Sequence, residues 1–258
     1  MLADAYNLAN TTPNIVYELI LGGVLSATLV PIFVARFDDG DDDAVNAILS
    51  VATVALVVLT VVGVVAAPAI FAVFRKEEIA DAGVPLLRLF LPQMLFYGWT
   101  ALGTAVLNAR RRFAVPAFAP VLNNVVVCGA LVAFGLRVGD GPGLSSVTED
   151  RAGLWLLGVG TTAGIVAMTI PLLPAIRKAG VDLRWRFDPR HAAVRAVVRR
   201  AGWTLGYVAA NQIGLTVMLS VAAATADGLP SWYTYAFIFF QLPHGPVSYT
   251  HLTLPTKA

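Results

Sequence analysis

Several polar and charged side chains lie inside long apolar runs of this sequence. Such groups are energetically unfavourable in a membrane interior, so each is a candidate functional residue. Glu18 and Arg88 each lie about one turn inside such a run. Arg88 could bind a phosphate or a carboxylate bidentately, or its side chain could extend to the membrane interface. Glu18 could pair with Arg88, line a cavity or lie at the interface. Four amides lie nearer the middle of their runs, where they either join helices or line a hydrated cavity: Asn123, Asn124, Asn211 and Gln212.

The common catalytic motifs are absent from the sequence. There is no GxSxG, HExxH, P-loop or dinucleotide-binding pattern, and the 3 histidines show no metal-ligand spacing. The single cysteine, Cys128, cannot form a disulfide within the chain and is expected to be a small core residue. We therefore expect no enzyme activity, no cofactor and no metal site, and the net charge of +2 gives no indication of nucleic-acid binding.

The elements that carry these residues are predicted to be transmembrane helices. Only 13% of the 258 residues are charged, whereas an average soluble domain has about 25%. The runs are long enough for the ~20 residues that a membrane-crossing helix needs, and they lack the alternation of barrel strands. The sequence predicts an all-α, polytopic transmembrane helix bundle. The six complete spans and a truncated seventh are predicted at residues 14–35, 44–74, 84–108, 114–136, 153–176, 201–226 and 232–243.

Basic residues concentrate in the loops that follow the first, third and fifth predicted spans. The second of these loops contains Arg110, Arg111 and Arg112, and the third is a basic stretch at residues 177–200. The positive-inside rule therefore places these three loops in the cytoplasm. Met1 would then lie outside, which predicts a further span before the first one.

Two of these basic segments allow more than one interpretation. Asp188 and Pro189 are typical of a helix start, and residues 191–200 place valines on one face and arginines on the other. This pattern favours an amphipathic helix on the anionic inner leaflet, with a solvated loop as the alternative. Arg112 and its two neighbours either anchor the topology or attract a phosphorylated lipid head group.

The start of the chain resembles the second helix of the MurJ/MviN family of lipid II flippases. The resemblance rests on ADAYNLANTTPN at residues 3–14, on Glu18, on GGVLS at 22–26 and on VPIF at 30–33. The YELILGG run within this stretch is most similar to the actinobacterial branch. Asp4 matches an acidic position that is functionally important in parts of that family.

Two later motifs resemble the same family in order and at the expected spacing. The run AVLNARRRFAVPAFAPVLNN at residues 105–124 resembles a loop and the start of the fifth helix. The residues YA at 235–236 and FFQLPHG at 239–245 resemble the eighth helix. Two family arginines do not carry over, because Tyr17 and Ile238 occupy their positions.

The resemblance implies an inner-membrane protein of two six-helix lobes and two further helices that flips undecaprenyl-linked peptidoglycan precursor outward by alternating access. Residues 1–226 would hold family helices two to seven and residues 227–245 the start of the eighth, without the first helix and its arginine. Residues 246–258 look like translated sequencing adapter and are predicted to be a non-native tail.

The implied partners are lipid II, the bilayer of the bacterial plasma membrane and cell-wall synthesis proteins. A multidrug or polysaccharide exporter of the same superfamily and a non-transporting membrane scaffold are the alternatives. A membrane-embedded glycosyltransferase is disfavoured, because it needs a catalytic group in a large outer loop and the outer loops here are short. The candidate substrate-binding residues are Asp4, Asn14, Glu18, Arg88, Asn108, Arg112, Asn123, Asn124 and Gln212.

Overall fold

A computed structural model describes residues 2–19, 28–73, 79–138, 151–226 and 228–241 of the chain. Across these residues the protein is helical and contains no strand, which confirms the predicted all-α class. The helices of the described part are α1 (Leu2–Leu19), α2 (Val30–Asp38), α3 (Asp42–Ala72), α4 (Ala80–Phe90), α5 (Gln93–Ala109), α6 (Ala114–Val138), α7 (Arg151–Thr169), α8 (Leu172–Lys178), α9 (Ala192–Thr225) and α10 (Leu229–Gln241).

Several of the described helices are membrane spans by length and by their apolar surface. Three stretches are long and apolar enough to cross a bilayer, namely Asp42–Ala72, Ala114–Val138 and Ala152–Lys178. α6 exposes apolar side chains along its length, and Leu136 is 85% exposed. Cys128 is also exposed on α6, so its prediction as a core residue was wrong. An apolar exterior of this kind is stable against lipid, which confirms the polytopic membrane bundle.

Prolines divide two of the predicted spans into pairs of helices. The span predicted at 84–108 consists of α4 and α5 with a turn at residues 91–92, and the span predicted at 153–176 consists of α7 and α8 with a turn at 170–171. A proline lacks the N–H that an uninterrupted helix needs and crowds the carbonyl four residues earlier. Each of these two predicted spans is therefore built from two helices joined at a proline.

The first helix begins well before its predicted start. α1 begins at Leu2 rather than near Asn14, and it includes Pro13. Part of the polar stretch that was predicted to precede the span is satisfied inside the helix, because the Thr11 hydroxyl donates to the Asn7 carbonyl at 2.7 Å. The same predicted span ends within the short helix α2. Residues 20–27, between α1 and α2, lie outside the described part.

The basic segment at 192–200 is not a separate helix on the membrane surface. α9 runs without a break from Ala192 to Thr225, and its N-cap is His191, whose Nδ1 accepts a first-turn N–H at 3.2 Å. Asp188, the predicted cap, instead accepts a backbone N–H within the preceding turn at 3.0 Å. Val194 is buried in the protein core, whereas Val198 is 66% exposed, so the first part of this face packs against the bundle.

α1 runs in the same direction as the pair formed by α4 and α5. The Tyr6 ring packs edge to face on the Phe90 ring of α4, with centroids 5.3 Å apart. Farther along both elements, the Tyr97 hydroxyl of α5 donates to Asn14 Oδ1 of α1 at 3.2 Å. Residue numbers therefore increase together along the two elements, as they must for spans separated by one intervening crossing.

α7 is parallel to the same pair of helices. Near the end of α4, the Leu89 carbonyl accepts the Thr162 hydroxyl at 2.7 Å. Seven residues later along α7, Thr169 shares a 2.8 Å hydroxyl–hydroxyl hydrogen bond with Thr100 of α5. The helices of the first, third and fifth spans are thus parallel and in contact, which agrees with consecutive membrane crossings.

The loops after these three spans meet at one end of the bundle. Arg110 forms an ion pair with Asp42 at 3.7 Å, and its guanidinium lies over the Phe37 ring, 3.9 Å from the centroid. Arg186 pairs with Asp43 at the start of α3. The three basic loops therefore share one side, as the order of the predicted spans requires, while the assignment of that side to the cytoplasm stays a prediction.

Candidate functional site

Asp4 joins the start of α1 to the start of α10. Its side chain is buried and accepts the Gly228 N–H at 3.2 Å and the Ser231 hydroxyl at 2.8 Å. Asn7, on the same face of α1, donates from Nδ2 to the Ser231 oxygen at 2.9 Å. A carboxylate at a helix N-terminus interacts favourably with free N–H groups and with the helix dipole. Asp4 therefore fixes the position of α1 against α10 in this structure.

Asn14 lies on α1 and is half-buried, with the Tyr97 hydroxyl as its partner. Glu18 follows one turn later in α1, and its side chain lies outside the described residues. The predicted pairing of Glu18 with Arg88 therefore stays a prediction. Arg88 itself lies in the last turn of α4 and is exposed, whereas Asp4 is buried, so the structure does not bring these two charged groups together.

The loop between α5 and α6 borders a pocket of about 490 Å³ at the end where the basic loops meet. The pocket has both cationic and apolar walls. A surface that combines cations with apolar groups is suited to an anionic amphiphile such as a phosphorylated lipid. Its lining residues are Arg111, Arg112, Lys178, Leu107, Phe113, Ala114, Val115, Ala175 and Ala179.

The end of α5 sets the geometry of this basic loop. The Asn108 carbonyl accepts the Arg111 N–H at 2.9 Å, and the Leu107 carbonyl accepts the Arg112 N–H at 2.8 Å. Arg111 has a φ of 56°, a left-handed conformation that is uncommon for a residue with a Cβ. This tight reversal turns the exposed Arg112 toward the pocket. Asn108 contributes through its backbone and does not line the pocket.

The remaining predicted amides lie on two other helices. Asn123 faces α7 and donates from Nδ2 to Oδ1 of its exposed neighbour Asn124 at 3.3 Å. Gln212 is half-buried on α9, and its Oε1 is buried without a hydrogen-bond partner in the described part of the chain. The described hydrogen bonds do not connect these three amides with Asp4 or with the pocket, so the predicted residues form no single cluster.

Gln93 is a buried polar residue that sequence reasoning did not select. It is fully buried, its Nε2 donates to the Thr162 hydroxyl at 3.1 Å, and its Oε1 has no described hydrogen-bond partner. The Oδ1 of Asn10 on α1 is likewise buried without one. The sequence contains a signal for these buried polar groups, because Tyr6, Asn10 and Asn14 recur at intervals of four residues and so share one face of a helix.

A family model described as lipid II flippase MurJ matches residues 1–255. The chain belongs to the MurJ family. Individual members of the family are similar over nearly the whole chain. "Lipid II flippase MurJ" of Burkholderia cenocepacia is 28% identical over 253 residues, which cover 93% of this chain and 47% of that protein. "Probable lipid II flippase MurJ" of Vibrio cholerae is 28% identical over 263 residues, 94% of this chain and 47% of its own length.

A third MurJ relative, from Haemophilus influenzae, is 23% identical over 274 residues, 99% of this chain and 51% of that protein. The chain thus spans about half the length of the curated MurJ relatives it matches. A flippase is a transporter rather than an enzyme, and membership of the MurJ family fits the helical bundle with an apolar exterior. The divisions predicted at residues 226 and 245 and the non-native tail at 246–258 stay predictions, since residues 242–258 lie outside the described part.

Proposed function

We propose that this chain acts in flipping lipid II, the undecaprenyl-pyrophosphate-linked peptidoglycan precursor, from the inner to the outer face of the bacterial plasma membrane. The observation that carries the proposal is the MurJ family match over residues 1–255. The similarity to the Burkholderia and Vibrio proteins named as lipid II flippases supports it. The proposal places the chain in the plasma membrane, beside the proteins that make and consume the precursor during cell-wall synthesis.

The charged head group is the physical obstacle in this reaction. A pyrophosphate without partners in hydrocarbon is opposed by a desolvation free energy of roughly tens of kcal/mol. A flippase must therefore replace water with cations and amides around the head group, while an apolar surface contacts the polyprenyl tail. Alternating access then exposes the loaded cavity to one face of the membrane at a time.

The pocket beside the α5–α6 loop supports a role in loading the head group. Arg111, Arg112 and Lys178 supply the cations that a pyrophosphate needs, and Phe113 and Val115 supply an apolar wall for the first isoprene units. The pocket lies at the end of the bundle where the basic loops meet, which the positive-inside rule assigns to the cytoplasm. We assign to this pocket the first contact with the precursor.

The other predicted residues have two kinds of role in this mechanism. Asp4 and Asn14 hold α1 to α10 and to α5, and their role would be to keep these three helices together during the conformational change. Arg88 and Glu18 provide charged groups farther along the path. The amides that would contact the sugars are Asn108, Asn123, Asn124 and Gln212.

Rescue of bacteria depleted of their own lipid II flippase tests the proposal. Expression of the complete gene should restore growth and normal cell shape, and the pair Arg111→Ala and Arg112→Ala should weaken the rescue. Arg190→Ala is the matched control, because it removes an exposed cation outside the pocket. A gene product that is inserted in the membrane and fails to rescue would overturn the proposal. Efflux of drugs by the same cells would then favour the exporter alternative.

A further inference from the structure

The orientation of the Gln93 amide is determined by its neighbours. The Thr162 hydroxyl donates its proton to the Leu89 carbonyl at 2.7 Å. Its oxygen must therefore accept the hydrogen bond from Gln93, so the group 3.1 Å away is the NH₂ of the amide. The Gln93 Oε1 is consequently the end without a described partner, and the residue is fully buried. Leaving a buried acceptor unsatisfied is unfavourable, which makes this oxygen a candidate ligand.

The Tyr6 phenol oxygen is a second available acceptor. The Thr161 hydroxyl donates to the Leu157 carbonyl at 2.7 Å. The 2.9 Å contact between Thr161 and Tyr6 therefore uses the phenol proton of Tyr6. The Tyr6 oxygen acts as a donor in this contact and keeps its own lone pairs.

The register between the helices brings a third acceptor to this layer. Asn10 lies four residues after Tyr6 and four before Asn14, and Gln93 lies between the residues of α4 and α5 that those two contact. The register therefore places Asn10 and Gln93 at the same level of the interface between parallel elements. The Asn10 Oδ1 is buried and has no hydrogen-bond partner in the described part. The register thus assigns two amide oxygens and a phenol oxygen to one layer, and all three have lone pairs available to accept.

The break between α4 and α5 adds negative potential at the same level. Pro92 has no N–H, so the Arg88 carbonyl lacks its usual helical partner. The C-terminal end of a helix carries a partial negative charge from such carbonyls. Interrupted membrane helices commonly coordinate small cations with these free ends.

We propose that Asn10, Gln93 and Tyr6 form a binding site for a monovalent alkali cation at the break between α4 and α5. A cation satisfies several buried oxygens at once, whereas these groups lack the carboxylates that a divalent ion prefers. A proton is excluded as the ligand because amides do not titrate near neutral pH. The bound ion would connect α1 with both halves of the broken span, and the site stands independently of the proposed lipid cargo.

Thermal unfolding of the purified full chain in detergent tests this site. Sodium chloride or potassium chloride should raise the unfolding midpoint by about 3 °C or more over choline chloride at equal ionic strength. Gln93→Met keeps the side-chain length and removes the carbonyl, so it should abolish the difference between the salts. Asn211→Leu, an amide change at an exposed position, is the matched control and should preserve the difference.

Two results would overturn the proposal. Equal midpoints in all three salts would mean that the chain binds no alkali ion, and that water alone satisfies the acceptors. A salt difference that survives both Gln93→Met and Asn10→Leu would place the ion elsewhere. If Gln93→Met does not fold, Tyr6→Phe removes one ligand oxygen with little change in shape, and it should reduce the sodium or potassium affinity severalfold.

Discussion

A Cβ atom on Gly160 of α7 would lie only 2.4 Å from the Cβ of Ala130 on α6. Gly164, one turn later, is similarly close to α6, because a Cβ there would lie 2.6 Å from Asn123 Oδ1. This GxxxG spacing allows two membrane helices to approach through their backbones. The Ala130 methyl has no side-chain torsion that could move it aside, so the close approach of α6 and α7 depends on the absence of a side chain at Gly160.

Gly160→Ala should push α6 away from α7 and destabilise the bundle by about 1–3 kcal/mol, as overpacking does elsewhere. Unfolding of the purified chain in detergent measures the change. Gly129→Ala is the control, since a Cβ at that position on α6 meets nothing within 4 Å. The control should be neutral or stabilising by up to ~1 kcal/mol. Wild-type stability in Gly160→Ala would contradict the close packing.

Asp4→Ala should lower stability by about 1–3 kcal/mol, because it leaves the Gly228 N–H and the Ser231 hydroxyl without their carboxylate. Ser231→Ala removes one of these two bonds. The loss of unfolding free energy in the double variant should therefore be smaller than the sum of the two single losses, and the difference should be about 0.5–3 kcal/mol. Strictly additive losses would show that the two side chains do not interact. Asp38→Ala, at an exposed carboxylate, is the reference for loss of a surface charge.

Arg112→Ala should weaken binding of undecaprenyl pyrophosphate by about fivefold, the effect of ~1 kcal/mol per basic residue near an anionic surface. Arg112→Lys should lose less, because it keeps the charge and gives up bidentate geometry. Titration of the purified chain with this lipid measures both effects. Uncharged undecaprenol should bind weakly and equally to all variants. An identical loss with Arg190→Ala would indicate a general charge effect rather than the pocket.

The assignment of sides can be tested by labelling single cysteines in intact cells. In a Cys128→Ser background, Arg190→Cys should react with a membrane-impermeant maleimide only after permeabilisation, because the basic loops are predicted to be cytoplasmic. Ser145→Cys, in a predicted outer loop, should react without permeabilisation. The opposite pattern would invert the topology and place the 490 Å³ pocket on the outer face.

The sequence predicts the bundle well because hydropathy reports directly on the lipid environment. It predicts helix ends less well, since these depend on contacts between distant residues. α1 extends back to Leu2 because Asp4 has partners in α10 and Asn14 has one in α5, at sequence separations of 227 and 83. The N-cap of α9 is His191 because its Nδ1 accepts an N–H of the first helical turn, whereas Asp188 accepts the Arg190 N–H before the helix begins.

The part of the candidate site that is defined by charge could be predicted from the sequence. The part that depends on which side chains form hydrogen bonds with each other could not. The basic loop with Arg112 stands out in the sequence, and the structure places it at a pocket. Gln93 was not selected, because only the commitment of the Thr162 proton to another carbonyl leaves its oxygen unsatisfied. Residue types alone do not show which group each hydroxyl proton is donated to.

The bond between Asp4 and Ser231 also sets an order of events during synthesis. A ribosome adds about 5–20 residues each second, so roughly 10–45 s separate the appearance of two residues 227 positions apart. α1 must therefore enter the membrane long before α10 exists, with its carboxylate still awaiting its final partners. Closure of this contact joins the first described helix to the last described one, and a chain stalled before α10 would retain an acidic group without these partners.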